Sequence, residues 1–117
     1  MTTQKIGKWG EAEAERYLKT LGYKILEHNY HSRFGEIDLI AVDGKVIVFV
    51  EVKARSTPLF GLGAEAVGRH KIDKMIKTAM FYLTEKRKEN EEYRLDVVEL
   101  TLTSAGLNIH HDRSITS

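Results

Sequence analysis

Between Gln4 and Leu21 the residues Ile6, Gly10, Ala14, Tyr17, Leu18 and Leu21 recur at three- and four-residue spacing, which places them on one stripe of a helix that Gly22 stops. Glu11 lies four residues from Gly7, three from Ala14 and seven from Leu18, so it falls on the margin of that stripe, whereas Glu13 belongs to the wet side. Tyr23, Ile25 and Leu26 then predict a short strand over residues 23–29, entering a loop at His28 to Phe34. Residues 36–42 and 45–54 form the strongest strand patterns, joined by Asp43-Gly44, a dipeptide suited to a tight hairpin turn. Ser56 to Gly63, with Pro58 and two glycines, predicts a loop. Over residues 64–88, Ile72, Met75, Ile76, Ala79, Met80 and Leu83 form the apolar face of a long helix with His70, Lys71, Lys74 and Lys77 opposite. Alternation over residues 94–102, a turn at Ser104-Ala105-Gly106 and a short strand at 107–110 complete the order α-β-β-β-α-β-β. That order predicts an α/β fold, a sheet flanked by helices, in one domain spanning residues 1–117.

Composition narrows the chemistry. With 42% apolar and 30% charged residues over 117 positions, the chain can bury one core. The apolar run Val46–Val50 is far below the ~20 residues of a membrane span, and the N-terminus carries no apolar signal region, so the expected compartment is the cytoplasm with no membrane association. The absence of cysteine excludes disulfides, thiolate catalysis and thiolate metal sites, so any metal must be held by oxygen or histidine. A net charge of +1 is not the footprint of a strongly basic nucleic-acid binder, so partners must be read from local patterning. The mixed-sign run Glu85–Glu92 reads as a solvated helix end and loop.

The chemistry gathers in the hairpin. Strand parity turns Glu36 and Asp38 one way and Ile37 and Leu39 the other, and likewise groups Phe49, Glu51 and Lys53. With Asp43-Gly44 as the two turn residues, Val42 pairs with Lys45, Asp38 with Phe49 and Glu36 with Glu51, which sets Asp38 diagonal to Glu51; a different turn length shifts the pairing. Two carboxylates ~5 Å apart repel by roughly 3 kcal/mol at an effective dielectric near 20, so such a cluster requires a bound cation or a raised pKa. Hard oxygen ligands favour Mg²⁺ or Mn²⁺, and such an ion could activate water against a phosphodiester. Lys53 is placed to orient that water or to stabilise the charged transition state. The same side chains would also suit the wet face of a half-exposed hairpin. Against that reading, Val46–Val50 is continuously apolar, as in a strand covered on both faces, and Glu51 follows it directly.

The segments Gly35-Glu36-Ile37-Asp38-Leu39-Ile40-Ala41 and Phe49-Val50-Glu51-Val52-Lys53-Ala54-Arg55 resemble the YraN-type family of bacterial proteins. That family looks like a branch of the PD-(D/E)XK nuclease superfamily near archaeal Holliday-junction resolvases. The resemblance extends to Gly7-x-x-Gly10-Glu11-x-x-Ala14 with Tyr17-Leu18, to Ala66-Val67 and Lys71, and to Arg94-x-Asp96-Val97-Val98. It implies a restriction-endonuclease-like core with a mixed sheet, and metal-dependent hydrolysis of DNA phosphodiester bonds on branched or single-stranded DNA. By motif position Asp38 and Glu51 would be acidic ligands and Lys53 the catalytic lysine, while Glu11 would complete the metal site and Glu36 would be a further ligand or a support for one. The rival expectation is a nucleic-acid-binding or partner-binding module that keeps the fold without turnover. A resolvase-like enzyme cuts two strands symmetrically, which implies a twofold dimer. Ile37 replaces the superfamily's proline, and His31 stands where an arginine is expected after Asn29-Tyr30.

The arc His70, Lys71, Lys74 and Lys77 is either a solvated helix face or a track for a nucleic-acid backbone, with Arg33 and Arg55 adding charge. His110-His111 lacks ligand spacing and reads as terminal surface histidine, and Trp9, Tyr17 and Phe81 read as core or interface residues rather than base-stacking platforms.

Overall fold

The computed structural model describes residues 3–55 and 68–115. Helix α1 (Thr3–Thr20) is followed by strands β1 (Lys24–Ser32), β2 (Gly35–Asp43) and β3 (Val46–Arg55), helix α2 (Arg69–Glu85), and strands β4 (Tyr93–Thr103) and β5 (Gly106–Asp112). The strands form one mixed sheet in the order β1-β2-β3-β4-β5, in which β3 and β4 are parallel and the other neighbours antiparallel. The expected loop at 56–63, the expected start of the second helix at 64, and Ala66-Val67 lie outside the described residues.

Each face of the sheet has its own core. Ala14 and Leu18 of α1 pack with Leu39, Ala41, Val48, Val50, Val98 and Leu100, while Met75, Ala79, Tyr82 and Leu83 of α2 pack with Ile37, Ile40, Ile47, Phe49 and Leu95. Covered on both sides, β3 and β4 bury every residue of 47–51 and 95–101, which is why Val46–Val50 reads as a continuous apolar run. The buried face of α2 is Met75, Thr78, Ala79, Tyr82 and Leu83, so Met80, expected inside, is 38% exposed. Gly22, at φ 88, closes α1: Tyr23 N–H donates to the Leu18 carbonyl at 3.1 Å and Gly22 N–H to that of Lys19 at 3.0 Å, the paired bonds of a Schellman ending.

Two expectations are corrected. Residues 28–32 are not loop: β1 stays paired with β2 to Ser32↔Gly35, leaving only Arg33 and Phe34 as the turn. Its polar residues read as loop because β1 is an edge strand with one side open to water. In the second hairpin Asp43 pairs with Val46, so the turn is Gly44-Lys45 rather than Asp43-Gly44. Gly44, at φ 62, supplies the positive angle that a II′ turn needs at its first central position.

Gly10 lets α1 lie close on β3, since a Cβ added there would overlap the Ala54 side chain, whereas one added at Gly7 meets nothing within 4 Å. Gly10→Ala is therefore expected to cost ~1–3 kcal/mol, while Gly7→Ala gains up to ~1 kcal/mol from helix propensity. Urea unfolding of both variants checks this; equal effects would contradict the close approach.

Candidate functional site

The corrected turn shifts the β2–β3 register by two residues from the expected one, and the ladder ends at Leu39↔Val50. Continued by one position, that register sets Asp38 opposite Glu51 instead of diagonal to it. There the strands part, and the Asp38 side chain fills the gap: its Oδ2 accepts the Val52 N–H at 2.8 Å, taking the place of a backbone carbonyl. Face alternation also breaks at this point. Ile37 belongs to the α2-side core and Leu39 to the α1-side core, so Glu36 and Asp38 do not share a face as parity predicted. The β1–β2 ladder passes over the same place, running from His28↔Leu39 to Tyr30↔Ile37, and Asn29 takes a left-handed φ of 49.

Glu51 points to the α2 side and is 4% exposed. Its Oε2 lies 3.3 Å from Lys71 Nζ and 3.8 Å from Lys53 Nζ. Burial, then the hydrogen bond and negative charge of Asp38, push the Glu51 carboxyl up to about 8 against the opposing pull of Lys71 and Lys53. Glu51 thus retains its proton where an unperturbed carboxyl would have lost it. Glu11 approaches from α1 on the other side of the gap. Burial raises its carboxyl, a hydrogen bond from Asn29 opposes this, and the charges of Asp38 and Glu36 raise it further. Glu36 is exposed, with Oε2 3.3 Å from His31 Nδ1, so the histidine found in place of an arginine is turned to that glutamate.

The expected basic residues separate into two sets. Lys71 and Lys53 meet Glu51 directly. Arg55 pairs instead with Glu99, with Nε 3.5 Å from Oε1. Glu99 is itself buried and its Oε2 has no hydrogen-bond partner among the described residues. Lys74 is exposed on α2, and Arg33 is exposed at the β1–β2 turn with its guanidinium carbon 4.9 Å from the centre of the Phe34 ring.

Sequence reasoning missed a buried polar network on the α1 side. Asp96, fully buried, accepts hydrogen bonds from Arg94 Nε at 3.0 Å, the Ser114 N–H at 3.1 Å and His111 Nε2 at 2.7 Å. Burial pulls the Asp96 carboxyl up, but the bonds from His111, Arg94 and Ser114 outweigh it and hold the group below its ordinary value. His111 Nδ1 is 3.1 Å from the Tyr17 hydroxyl, and Arg94 reaches Asp43 at 3.1 Å and Tyr23 at 2.6 Å. His111 is therefore not a terminal surface residue: its side chain is 5% exposed and ties β5 to β4 and α1. The visible signal was Arg94-x-Asp96 inside an otherwise apolar strand. A cleft of about 670 Å³ lined by Val42, Gly44, Lys45, Ile47, Lys88, Glu91 and Glu92 lies at the opposite end of β3 from Glu51, away from the carboxylates.

Among the described residues no three His, Asp or Glu side chains converge closely enough to enclose a metal ion. Mg²⁺ does not require enclosure; it retains waters and takes one or two carboxylates together with substrate phosphates. Asp38 and Glu51, hard-oxygen donors held side by side with only lysine ammonium groups against them, fit that requirement, and Glu11 adds negative potential from the other face.

A family model described as uncharacterised protein family UPF0102 matches residues 10–100. A UPF0102 protein of Sulfurihydrogenibium sp. (strain YO3AOP1) is 51% identical over 98 residues, 84% of either chain. Another from Syntrophus aciditrophicus (strain SB) is 49% identical over 105 residues, 90% of this chain and 83% of its own. One from Persephonella marina is 44% identical over 94 residues, covering 80% and 81%.

The raised pKa makes a signed prediction. Glu51 binds its proton more tightly folded than unfolded, so its contribution to stability is full below the ordinary value of 4.5 and is lost as pH rises through about 8. In chelator-containing buffer, Glu51→Gln, which keeps the shape and can still donate to Asp38, should flatten that decline and exceed the parent at pH 9 by on the order of 2 kcal/mol. Parallel unfolding curves for parent and variant at every pH would contradict it.

Proposed function

The chain belongs to the uncharacterised protein family UPF0102, and from the geometry of the β2–β3 gap we propose that it is a metal-dependent endonuclease hydrolysing DNA phosphodiester bonds in the cytoplasm, built on a PD-(D/E)XK core. The observation that carries the reading is the buried Glu51 carboxylate set against Asp38 at the point where two strands part, with Lys53 and Lys71 on the same oxygen. A buried acid pair with a displaced pKa, flanked by amines, is costly as structure and useful as chemistry.

Asp38 and Glu51 would hold a Mg²⁺ or Mn²⁺ ion, with Glu11 and Glu36 as further acids on the α1 side of the gap. A divalent ion there supplies Lewis acidity towards the phosphate and a water of lowered pKa. Lys53, whose Nζ is 3.8 Å from Glu51, orients the attacking water or offsets charge developing on the phosphoryl oxygens. Lys71, 3.3 Å from the same Glu51 oxygen, would be released to meet phosphate if an ion took that oxygen. Arg33 and Lys74 extend the positive surface along which a DNA strand lies, and a twofold dimer would present one such site to each strand.

A second reading, a binding module without turnover, is favoured by one observation: the carboxylates do not form a closed metal cage among the described residues. Cleavage of linear, forked and four-way DNA with Mg²⁺ or Mn²⁺ separates the two. Glu51→Ala and Lys53→Ala are each expected to lower the rate by on the order of 100-fold or more. Rates unchanged by either substitution would remove these residues from the site, and binding without cutting under either metal would favour the module. Mn²⁺ should also raise the melting temperature of the parent but not of Asp38→Ala, because an ion that binds only the folded state stabilises it by linkage. Equal shifts in the two proteins would place the ion elsewhere.

A further inference from the structure

The turn between β1 and β2 is pressed onto α2. Ser32 Oγ is 3.1 Å from Thr78 Oγ1 and also accepts the Phe34 N–H at 3.1 Å, fixing Phe34 at the tip. The Phe34 ring meets that of Phe81 edge to face, with centroids 6.5 Å apart, and Arg33 covers the Phe34 ring. Phe81, expected in the core or an interface, is 39% exposed, and Met80 beside it is 38% exposed. On α2, His70, Lys74, Lys77 and Phe81 follow one another at four-, three- and four-residue spacing, so they share one exposed face. Lys71, at the start of the same helix, touches Glu51. Ten residues of helix, ~15 Å, separate Lys71 from Phe81, about the length of four stacked nucleotides.

We propose that Arg33, Phe34 and Phe81 form a stacking platform for unpaired bases, so that the nucleic-acid strand crossing α2 towards Glu51 is recognised as single-stranded. The occupant follows from the chemistry of the patch. The exposed Phe81 ring, set edge to face against a Phe34 ring that a guanidinium covers, suits a nucleobase face, and the lysines between the rings and Glu51 suit the phosphates of the same strand. A paired duplex hides its base faces, so it can use the lysines but not the rings. The inference rests on the proposal that the site acts on DNA, but it concerns binding and does not depend on turnover.

The test is therefore done in EDTA, where cutting plays no part. Anisotropy compares an oligo-dT strand, a fork with unpaired dT arms and a blunt duplex of equal length, and a 2-aminopurine in one arm reports stacking by its quenching. The parent is expected to bind the fork about tenfold more tightly than the blunt duplex and to quench the probe. Phe81→Leu, which keeps apolar packing but removes the ring, should abolish both effects while leaving duplex affinity unchanged, and Phe81→Trp should restore them. Melting temperatures of all variants confirm that they are folded. Lys74→Ala and Lys77→Ala should weaken fork and duplex alike and lower the salt dependence. The proposal is overturned if Phe81→Leu leaves fork preference and quenching intact, or weakens fork and duplex equally. It is also overturned if the substitution splits a dimer in size-exclusion chromatography without altering any DNA affinity, which would make the patch an interface between copies. Failure to cleave in the earlier assay, with fork preference retained here, would remove the nuclease reading and leave the platform standing.

Discussion

The structure turns on one backbone hydrogen bond that no backbone group can complete. Strand β2 serves both cores, sending Ile37 to the α2 side and Leu39 to the α1 side, and the change of face occurs at Asp38. The strand cannot remain paired with β3 through that change, and the Val52 N–H is left facing the gap. An unpaired buried donor costs ~1–3 kcal/mol, so an acceptor must come from a side chain, and Asp38 supplies it at 2.8 Å. The acid required by the fold therefore stands beside Glu51, whose carboxyl is pushed up to about 8 by burial and by that neighbour. The strand break that splits the sheet also assembles the charged pair.

A polarity across the sheet follows. The α1 side of the gap carries Glu11 and Glu36, while Lys53, Lys71 and Lys74 lie on the α2 side, joined by Arg33 at the turn docked on that helix. A net charge of +1 conceals this separation. On the proposed function, a polyanion would approach the α2 side and a cation would enter the gap. The Asp96 network, by contrast, satisfies each of its buried groups internally and fastens β5, β4 and α1 into the platform that α1 needs to present Glu11.

The order of elements was readable because periodicity depends on burial, and burial here is regular over most of the chain. The covered faces of β3 showed as the unbroken apolar run Val46–Val50, β4 showed as an alternation over residues 94–102, and Gly22 marked the end of α1 through its positive φ. Glu51 and Lys53 were likewise visible as charges placed after such a run, and Asp38 as their neighbour across the hairpin. What parity could not supply was the break in parity itself: nothing in Ile37-Asp38-Leu39 states that neighbours two apart serve opposite cores. Asn29, the left-handed residue beside the break, is a residue type that tolerates such angles, and it was the faint local signal. His111 was misjudged because its partners Asp96 and Tyr17 are 15 and 94 positions away in sequence. The core alternative for Phe81 fails because one helical step decides whether a residue on α2 faces Tyr30 and Phe49, as Tyr82 does, or the solvent.

The central claim is that Glu51, buried beside Asp38, holds a proton that a divalent cation can displace. The most direct test is the side-chain carboxyl ¹³C signal of Glu51, followed from pH 5 to 10 with chelator and again with Mg²⁺. The account predicts a midpoint near 8 without metal, a clear fall on adding Mg²⁺, and a lower midpoint in Asp38→Asn even without metal. A Glu51 that titrates as an ordinary glutamate and ignores both Mg²⁺ and the loss of Asp38 would contradict it.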